Sequence, residues 1–546
     1  MLYAEQFTPE EESVLRRFFT NTDQPVFALV NLPEVVKGAL FARYSRSPKS
    51  LRRLFLDEFY SQPEAGFSQI PDHPAEDNQS PGVGRAEQLY ERVFNEYGDD
   101  SVAQLGGAHL ACEQSSNLLT KVLEWGRLAA YLEQSTRYIF YDQRLGDRYR
   151  YRVPPEIAGS SLEAEYTATM DSLFDTYSTL VHELVTHFEA RFPRQPGDSN
   201  FIWRASIRAK ACDAARGLLP ASTTSNMGIY ATGQAYEMMI IRMNAHPLRE
   251  VRDCAAMMLT ELRKVIPSFL RRVDVPDRGG AWSGYMSDVA ARMADIAGNL
   301  AEAPQDVPEV SLVEWDPDAE TKVAAAALYA YSDLPDEQLL ELVRRMPADE
   351  MANIIRAYVG DRQNRRHKPG RGMERTYYRF DVLSDFGSFR DLQRHRMLTL
   401  EWQRLGVQHD YITPPVIDET GNRTVWDDAM ARMADLHGRV EQQLGADAAQ
   451  YAVPFGYRLR YYMHLNAREA FHLLELRTAQ QGHPDYRRVC QEMHRLIRDQ
   501  AGHTAIADAM SYVDHNQYDL ERLEAERRAA QKRAATGRLE SPDSET

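Results

Sequence analysis

Cysteine is scarce in this 546-residue chain: Cys112, Cys212, Cys254 and Cys490 stand far apart, with no CxxC pair and no histidine at a zinc-site spacing. Neither a disulfide framework nor a metal site is expected from them, and such usage suits a reducing compartment. Long apolar runs are missing too. No uninterrupted apolar segment approaches the ~20 residues that span a bilayer. The opening "MLYAEQFTPEEESVLRRFF" carries an acidic run where a signal peptide has a basic region followed by an apolar one. A cytoplasmic protein with no membrane partner is the expectation. Positive charge is also in deficit. A formal net charge of -16 and a pI near 5.5 argue against binding to nucleic acid, which needs a basic field or a strongly basic face. Any anion this chain binds must be captured by local clusters of cations.

What is present is length and helical periodicity. At roughly 150 residues per domain the chain has material for two to four domains. Apolar residues recur at three- and four-residue intervals over 85–97, 162–192, 234–273, 336–358, 426–443 and 468–499. The alternating "RTYYRFDVLSDF" (375–386) reads as a strand. A helix-rich α+β fold is expected. Internal similarity adds an organisation: "ALFARYSRSPKSL" (39–51) resembles "ALYAYSDLPDEQL" (327–339), and "RMNAHPLREVRDC" (242–254) resembles "RTAQQGHPDYRRVC" (477–490), in the same order. The chain therefore reads as a divergent tandem duplication, with a first copy at 1–300, a linker at 301–320 rich in Pro and acid, and a second copy at 321–515. A charged tail at 516–546 is expected to be disordered.

Three cation clusters could carry chemistry. In "WGRLAAYLEQSTRYIFYD" (125–142), Ser135 and Arg137 would point the same way on an extended backbone and form a compact phosphate grip, Arg binding bidentately and Ser donating a shorter bond. A surface salt bridge is the plain alternative. In "HLNAREAFHLLELR" (464–477), Arg468 and His472 are four apart and share a helix face, whereas Arg468 and Arg477 lie nine apart and end on opposite faces, so the two arginines should serve different partners. A solvated helix face is the alternative there. In "FRDLQRHRMLTLEWQRLG" (389–406), Arg394, His395 and Arg396 on a helix would spread over about 200 degrees, too wide for one small anion. They suit a ligand with several phosphates, a subunit interface or a salt-bridged surface.

The order of these motifs resembles that of the flavin-dependent thymidylate synthases. That family carries Arg-His-Arg followed by a small hydroxyl residue, then Ser-x-Arg-Tyr, Ala-Arg-x-x-Leu-Pro, and Asn-Ala-Arg with Leu-Arg beyond it. The first half holds "EQSTRY" (133–138) and "ARGLLP" (215–220) but has Trp125, Gly126 and Arg127 where Arg-His-Arg is expected, and Ala231, Thr232 and Gly233 about where Asn-Ala-Arg belongs. The second half holds "RHR", with Thr399 as the hydroxyl, and "NAREAFHLLELR". It reads "EWQRLG" in place of Ser-x-Arg-Tyr, and "QYAVP" (450–454) in place of Ala-Arg-x-x-Leu-Pro.

The resemblance implies Glu133, Ser135, Arg137 and Arg216 as dUMP ligands. It implies Arg394, His395, Arg396, Asn466, Arg468 and His472 as FAD ligands, with His367 and Glu374 in a further flavin-contacting segment. Arg242 and Arg477 would each contact the pyrimidine and stabilise negative charge developing on it. The implied reaction is reductive methylation of dUMP to dTMP, with methylenetetrahydrofolate as carbon donor, FAD as hydride carrier and NADPH as co-substrate, and it needs no cysteine nucleophile. Because family members are homotetramers, two tandem domains would form a pseudo-dimer, and two such chains a homodimer that mimics the tetramer. A flavin- or nucleotide-binding relative without synthase activity is the alternative.

Overall fold

The computed structural model describes residues 3, 5–61, 104, 106–196, 198–519 and 523. The helix expected at 85–97 and most of the tail expected to be disordered lie outside the described residues. The fold is helix-rich α+β and contains two four-stranded antiparallel sheets of the same topology. The first sheet runs β1-β2-β4-β3, with β1 Val26–Leu29, β2 Gly107–Ser116, β3 Ala129–Glu133 and β4 Thr224–Thr232. The second runs β5-β6-β8-β7, with β5 Val310–Trp315, β6 Tyr377–Asp385, β7 Thr399–Trp402 and β8 Arg458–Asn466.

The alternation expected for 375–386 is realised in β6, where Tyr378, Phe380, Val382 and Ser384 point inward and the residues from Tyr377 to Leu383 that alternate with them are half-exposed. β8 repeats the device with Leu459, Tyr461, Met463 and Leu465. Helices cover these faces. Where the periodicity suggested single long helices, proline divides them, because it lacks an N–H and clashes with the preceding turn. The 468–499 stretch is two helices, Ala467–Arg477 and Pro484–Asp499, the second starting with Pro484 at its first position behind a His483 cap. The 234–273 stretch becomes Gly233–Asn244, Arg249–Leu262 and a 3₁₀ turn opening at Pro267, and 336–358 breaks at Pro347.

The chain packs as two compact units, and neither is one continuous stretch. The first comprises 1–180, 218–304 and 423–454; the second comprises 181–217, 305–422 and 455–546. Each sheet lies in one unit, but each unit takes one segment from the other half of the sequence. In the first unit, helix Arg423–Leu444 buries Trp426, Met430, Met433 and Leu436, and Arg439 pairs with Glu165 at 2.6 Å. In the second unit, helix Asn200–Ala215 delivers Arg216, and the Gly217 carbonyl accepts the Gly456 N–H at 2.8 Å. All four cysteines are buried, and none is in a disulfide. Among the described residues no helix is long and apolar enough to cross a membrane.

Candidate functional site

In the second unit, Asp385 at the end of β6 caps helix Phe386–Leu392, its Oδ1 accepting the Ser388 N–H at 2.8 Å. That helix ends at Leu392, so the helical reading of Arg394, His395 and Arg396 is corrected: the three residues follow the helix on the way into β7. On this non-helical backbone they alternate. Arg394 and Arg396 are exposed, and His395 between them is buried.

His395 meets two partners. Its Nδ1 lies 2.9 Å from Glu469 Oε1, and its Nε2 lies 3.0 Å from Arg477 Nε. Burial holds the imidazole near a pKa of about 4, the Arg477 charge pushing the same way and Glu469 opposing. Glu469 stands on helix Ala467–Arg477, whose cap Asn466 accepts the Glu469 N–H at 2.9 Å. Its Oε2 takes a second contact from His472 Nδ1 at 3.3 Å. Burial alone would raise this carboxyl, but hydrogen bonds from His395 and His472 outweigh it and hold it at about 2.

Asp391 gathers the arginines. Arg216 Nη1, Arg477 Nη1 and Arg394 Nη1 lie 3.6, 3.7 and 3.9 Å from its carboxylate. Arg216 is buried, and its Nη2 has no hydrogen-bond partner. Three guanidinium groups share this one carboxylate, a convergence of donors that can also grip an anion. Arg468 turns away to other partners, its Nε donating to the Pro369 carbonyl at 3.0 Å and its Nη1 lying 3.3 Å from Glu374, which Arg371 also holds at 3.0 Å. Lys368 stands beside them, its ammonium pushed down by burial and by Arg468 and Arg365. His367 is exposed in the preceding loop, where the Gln363 N–H donates to its Nδ1 at 3.3 Å and Asn364 Nδ2 lies 3.2 Å from its Nε2.

Arg216 also stands against a second pair of acids. Asp385 is pushed up by burial, with Arg216 opposing, and Asp485 is raised to about 7 by burial and by Asp385. A raised folded-state pKa means that the folded protein holds a proton the unfolded chain has lost, so stability falls as pH rises between 3.8 and about 7. Asp485→Asn is expected to flatten that part of the profile and to be more stable than the wild type at pH 8 by roughly 1 kcal/mol or more. Urea denaturation at pH 5 and pH 8 checks it, and an equal shift at both values would count against the assignment.

The first unit holds the other motifs. Glu133 ends β3 as a buried carboxylate 3.3 Å from Lys121 Nζ, which Glu124 also holds at 2.6 Å. Ser135 and Arg137 lie in the turn after β3, and the extended arrangement expected for them is corrected: Ser135 Oγ accepts the Arg137 N–H at 3.2 Å, folding the pair into a local turn. The Ser135 N–H donates to the Ser45 carbonyl at 3.0 Å. Arg242 is largely buried, its Nη2 donating to the Val122 carbonyl at 3.0 Å and its guanidinium 4.5 Å from the Trp125 ring. Burial lowers its pKa to about 10.

Register fixes which positions of the two units correspond. Ala130 pairs with Tyr230 as Thr399 pairs with His464, and Thr232 caps its helix as Asn466 does. Asn-Ala-Arg therefore corresponds to Thr232, Gly233 and Gln234, one residue later than the sequence suggested. Counting from the caps, Glu469 and His472 correspond to Ala235 and Met238, and Asp391 corresponds to Val122, since Ser116 and Asp385 cap equivalent seven-residue helices. His395 corresponds to Gly126, where an added Cβ would lie 2.7 Å from the Tyr131 hydroxyl. The first unit thus has a small or apolar residue at each position of the cluster around His395. Arg242 is the tenth residue after its cap and Arg477 the eleventh, so the two sit about 100 degrees apart in helix phase.

Asp391 and Glu469 were not singled out by the motifs, although each lies three residues from one that was, Arg394 and Asn466. Spacing by one helical turn was the available signal.

Comparison with known proteins places the chain. A family model described as thymidylate synthase complementing protein matches residues 52–268 and 311–501, and the chain belongs to that family. The two matched regions agree with a tandem duplication. Full-length relatives include UPF0159 proteins of Chlamydia pneumoniae and Chlamydia muridarum, each 39% identical over 524 residues, covering 95% of this chain and 97% of theirs. A UPF0159 protein of Thermoplasma acidophilum is 30% identical over 514 residues, covering 90% of this chain and 97% of its own. Among solved structures, the flavin-dependent thymidylate synthase ThyX of Helicobacter pylori, crystallised with FAD and dUMP, matches 34% of this chain and 93% of its own at 18% identity and a TM-score of 0.26.

Proposed function

We propose that this protein is a flavin-dependent thymidylate synthase that methylates dUMP reductively to dTMP. The observation that carries the reading is the gathering of Arg216, Arg394 and Arg477 on Asp391 beside His395. Arg216 comes from the first half's Ala-Arg-x-x-Leu-Pro motif, and the others come from the second half's Arg-His-Arg and Asn-Ala-Arg motifs. Family membership supports the same reading.

The donor set fits a flavin dinucleotide: the orphaned Nη2 of Arg216 and the three guanidinium groups that share Asp391 suit a ligand with several negative charges. Arg394, Arg396, Asn466, Arg468 and His472 would hold FAD, with His367 and Glu374 at the edge. When bound, FAD supplies the hydride and relays the one-carbon unit from methylenetetrahydrofolate, and NADPH is the proposed reductant. Arg216 holds nucleotide phosphate, and Ser135, Arg137 and Glu133 of the first unit are assigned to nucleotide as well. Arg477 stabilises negative charge on the pyrimidine, and Arg242 is its first-half counterpart. A homodimer of tandem chains is the proposed assembly, and the cytoplasm its place of work.

Purified protein is expected to be yellow, with a flavin absorbance band, and to sustain growth of a thymidine-requiring bacterium. Colourless protein that fails to bind added FAD would sink the proposal. Flavin binding without growth would favour a binding protein that has lost the reaction.

A further inference from the structure

We infer that Glu469 and His395 form a positioning pair that aims the Arg477 guanidinium, an inference that rests on the synthase reading for its consequence in catalysis. A guanidinium has donors and no acceptor, so the contact of 3.0 Å between Arg477 Nε and His395 Nε2 requires that Nε2 be the unprotonated nitrogen. The ring proton then resides on Nδ1 and donates to Glu469 Oε1 at 2.9 Å. The partners on either side select one tautomer, as the second nitrogen of a functional histidine commonly does.

Glu469 is itself fixed. Its N–H is tied to the Asn466 cap and its second oxygen to His472 Nδ1, so one carboxylate anchors both histidines, whose rings lie 5.0 Å apart. Asn466, Glu469 and His472 recur every three residues along one helix, which lets a single element hold the relay. At the far end, Arg477 is held by His395 at Nε, faces Asp391 with Nη1 at 3.7 Å, and lies over the Tyr486 ring with its central carbon 5.6 Å away. Its side chain keeps 14% exposure. An arginine loses much rotamer freedom when it is held this way, and a fixed guanidinium stabilises developing charge without reorganising during reaction.

The first unit is an internal comparison. With Gly126, Ala235 and Val122 at the positions of His395, Glu469 and Asp391, Arg242 rests on a carbonyl and an indole ring, and its Nε, the atom that meets His395 in Arg477, has no hydrogen-bond partner among the described residues. The relay therefore belongs to the second unit.

The test uses the full chain carrying ¹⁵N-histidine, with Glu469→Ala and Glu469→Gln. Imidazole nitrogen shifts report the tautomer without any turnover, and His395 is assigned by its loss in His395→Asn. Wild type is expected to show Nδ1–H. In Glu469→Ala the ring is no longer held in place, so its contact with Arg477 is broken and this signature is lost, and kcat falls about tenfold to a hundredfold while the KM for dUMP changes less than threefold, as misdirection of one group predicts. Glu469→Gln can still accept from Nδ1–H through its carbonyl and should recover the tautomer and most of kcat. An Nε2–H signature in the wild type, or an unaltered His395 in Glu469→Ala, overturns the positioning pair. If the tautomer responds as expected but no variant turns over, including the wild type, the synthase reading has failed and the pair has not.

Discussion

Replacing Arg216 with alanine is expected to destabilise the second unit by about 3–5 kcal/mol, the usual consequence of removing one partner from a buried charge network. Arg216 is 3% exposed, faces Asp391 at 3.6 Å, and holds Asp385, and with Arg488 also Asp485, below where burial alone would put them. Without it those carboxyls must take up protons or remain buried and uncompensated, so the loss should be larger at pH 8 than at pH 5. Arg216→Lys keeps the charge without the planar fork and is expected to fall between alanine and wild type. Denaturant midpoints at both pH values check this, with exposed Arg396→Ala as a control expected within about 0.5 kcal/mol of wild type. An Arg216→Ala protein as stable as that control would mean that the arginine is not the counter-charge of this cluster.

Arg394→Ala and Arg137→Ala are each expected to abolish growth of a thymidine-requiring bacterium while leaving the amount of folded protein close to normal. Arg394 is exposed, and its 3.9 Å contact with Asp391 is backed by Arg216 and Arg477, so the fold loses little when it goes. Arg137 is half-buried in the turn after β3, and the hydrogen bond from its backbone N–H to Ser135 Oγ is kept by alanine. The proposed roles make the expected loss one of ligand binding, visible as absent growth with normal immunoblot levels. Normal growth of either variant would remove that arginine from the proposed reaction. Loss in both would place both arginines in the activity that growth reports.

Much of the local structure was legible in the sequence. The alternation in 375–386 became β6, and Arg468, His472 and Arg477 share one helix as read, although Asn466 caps that helix instead of lying within it. Helix ends were read less well: 468–499 looked continuous because apolar spacing on both sides of Gly482 happens to stay in phase, whereas Pro484 starts a new helix. Arg-His-Arg was placed on a helix for a similar reason. Apolar residues precede it at helical spacing, but the helix ends at Leu392 in a turn, with the His395 N–H on the Leu392 carbonyl at 3.2 Å, and only His395 of the three is buried.

By itself, the sequence determined the inventory: a duplicated helix-rich chain, two motif sets divided between its halves, and clustered arginines in an acidic protein. Composition, period and motif order are local properties, and they survive without knowledge of contacts. Only the tertiary structure decided that segment 181–217 packs with the second unit, bringing Arg216 to Asp391, and that His395 turns inward to Glu469 and Arg477 while its neighbours face out. Those outcomes depend on burial and on partners more than 70 residues away along the chain. No window of sequence contains them.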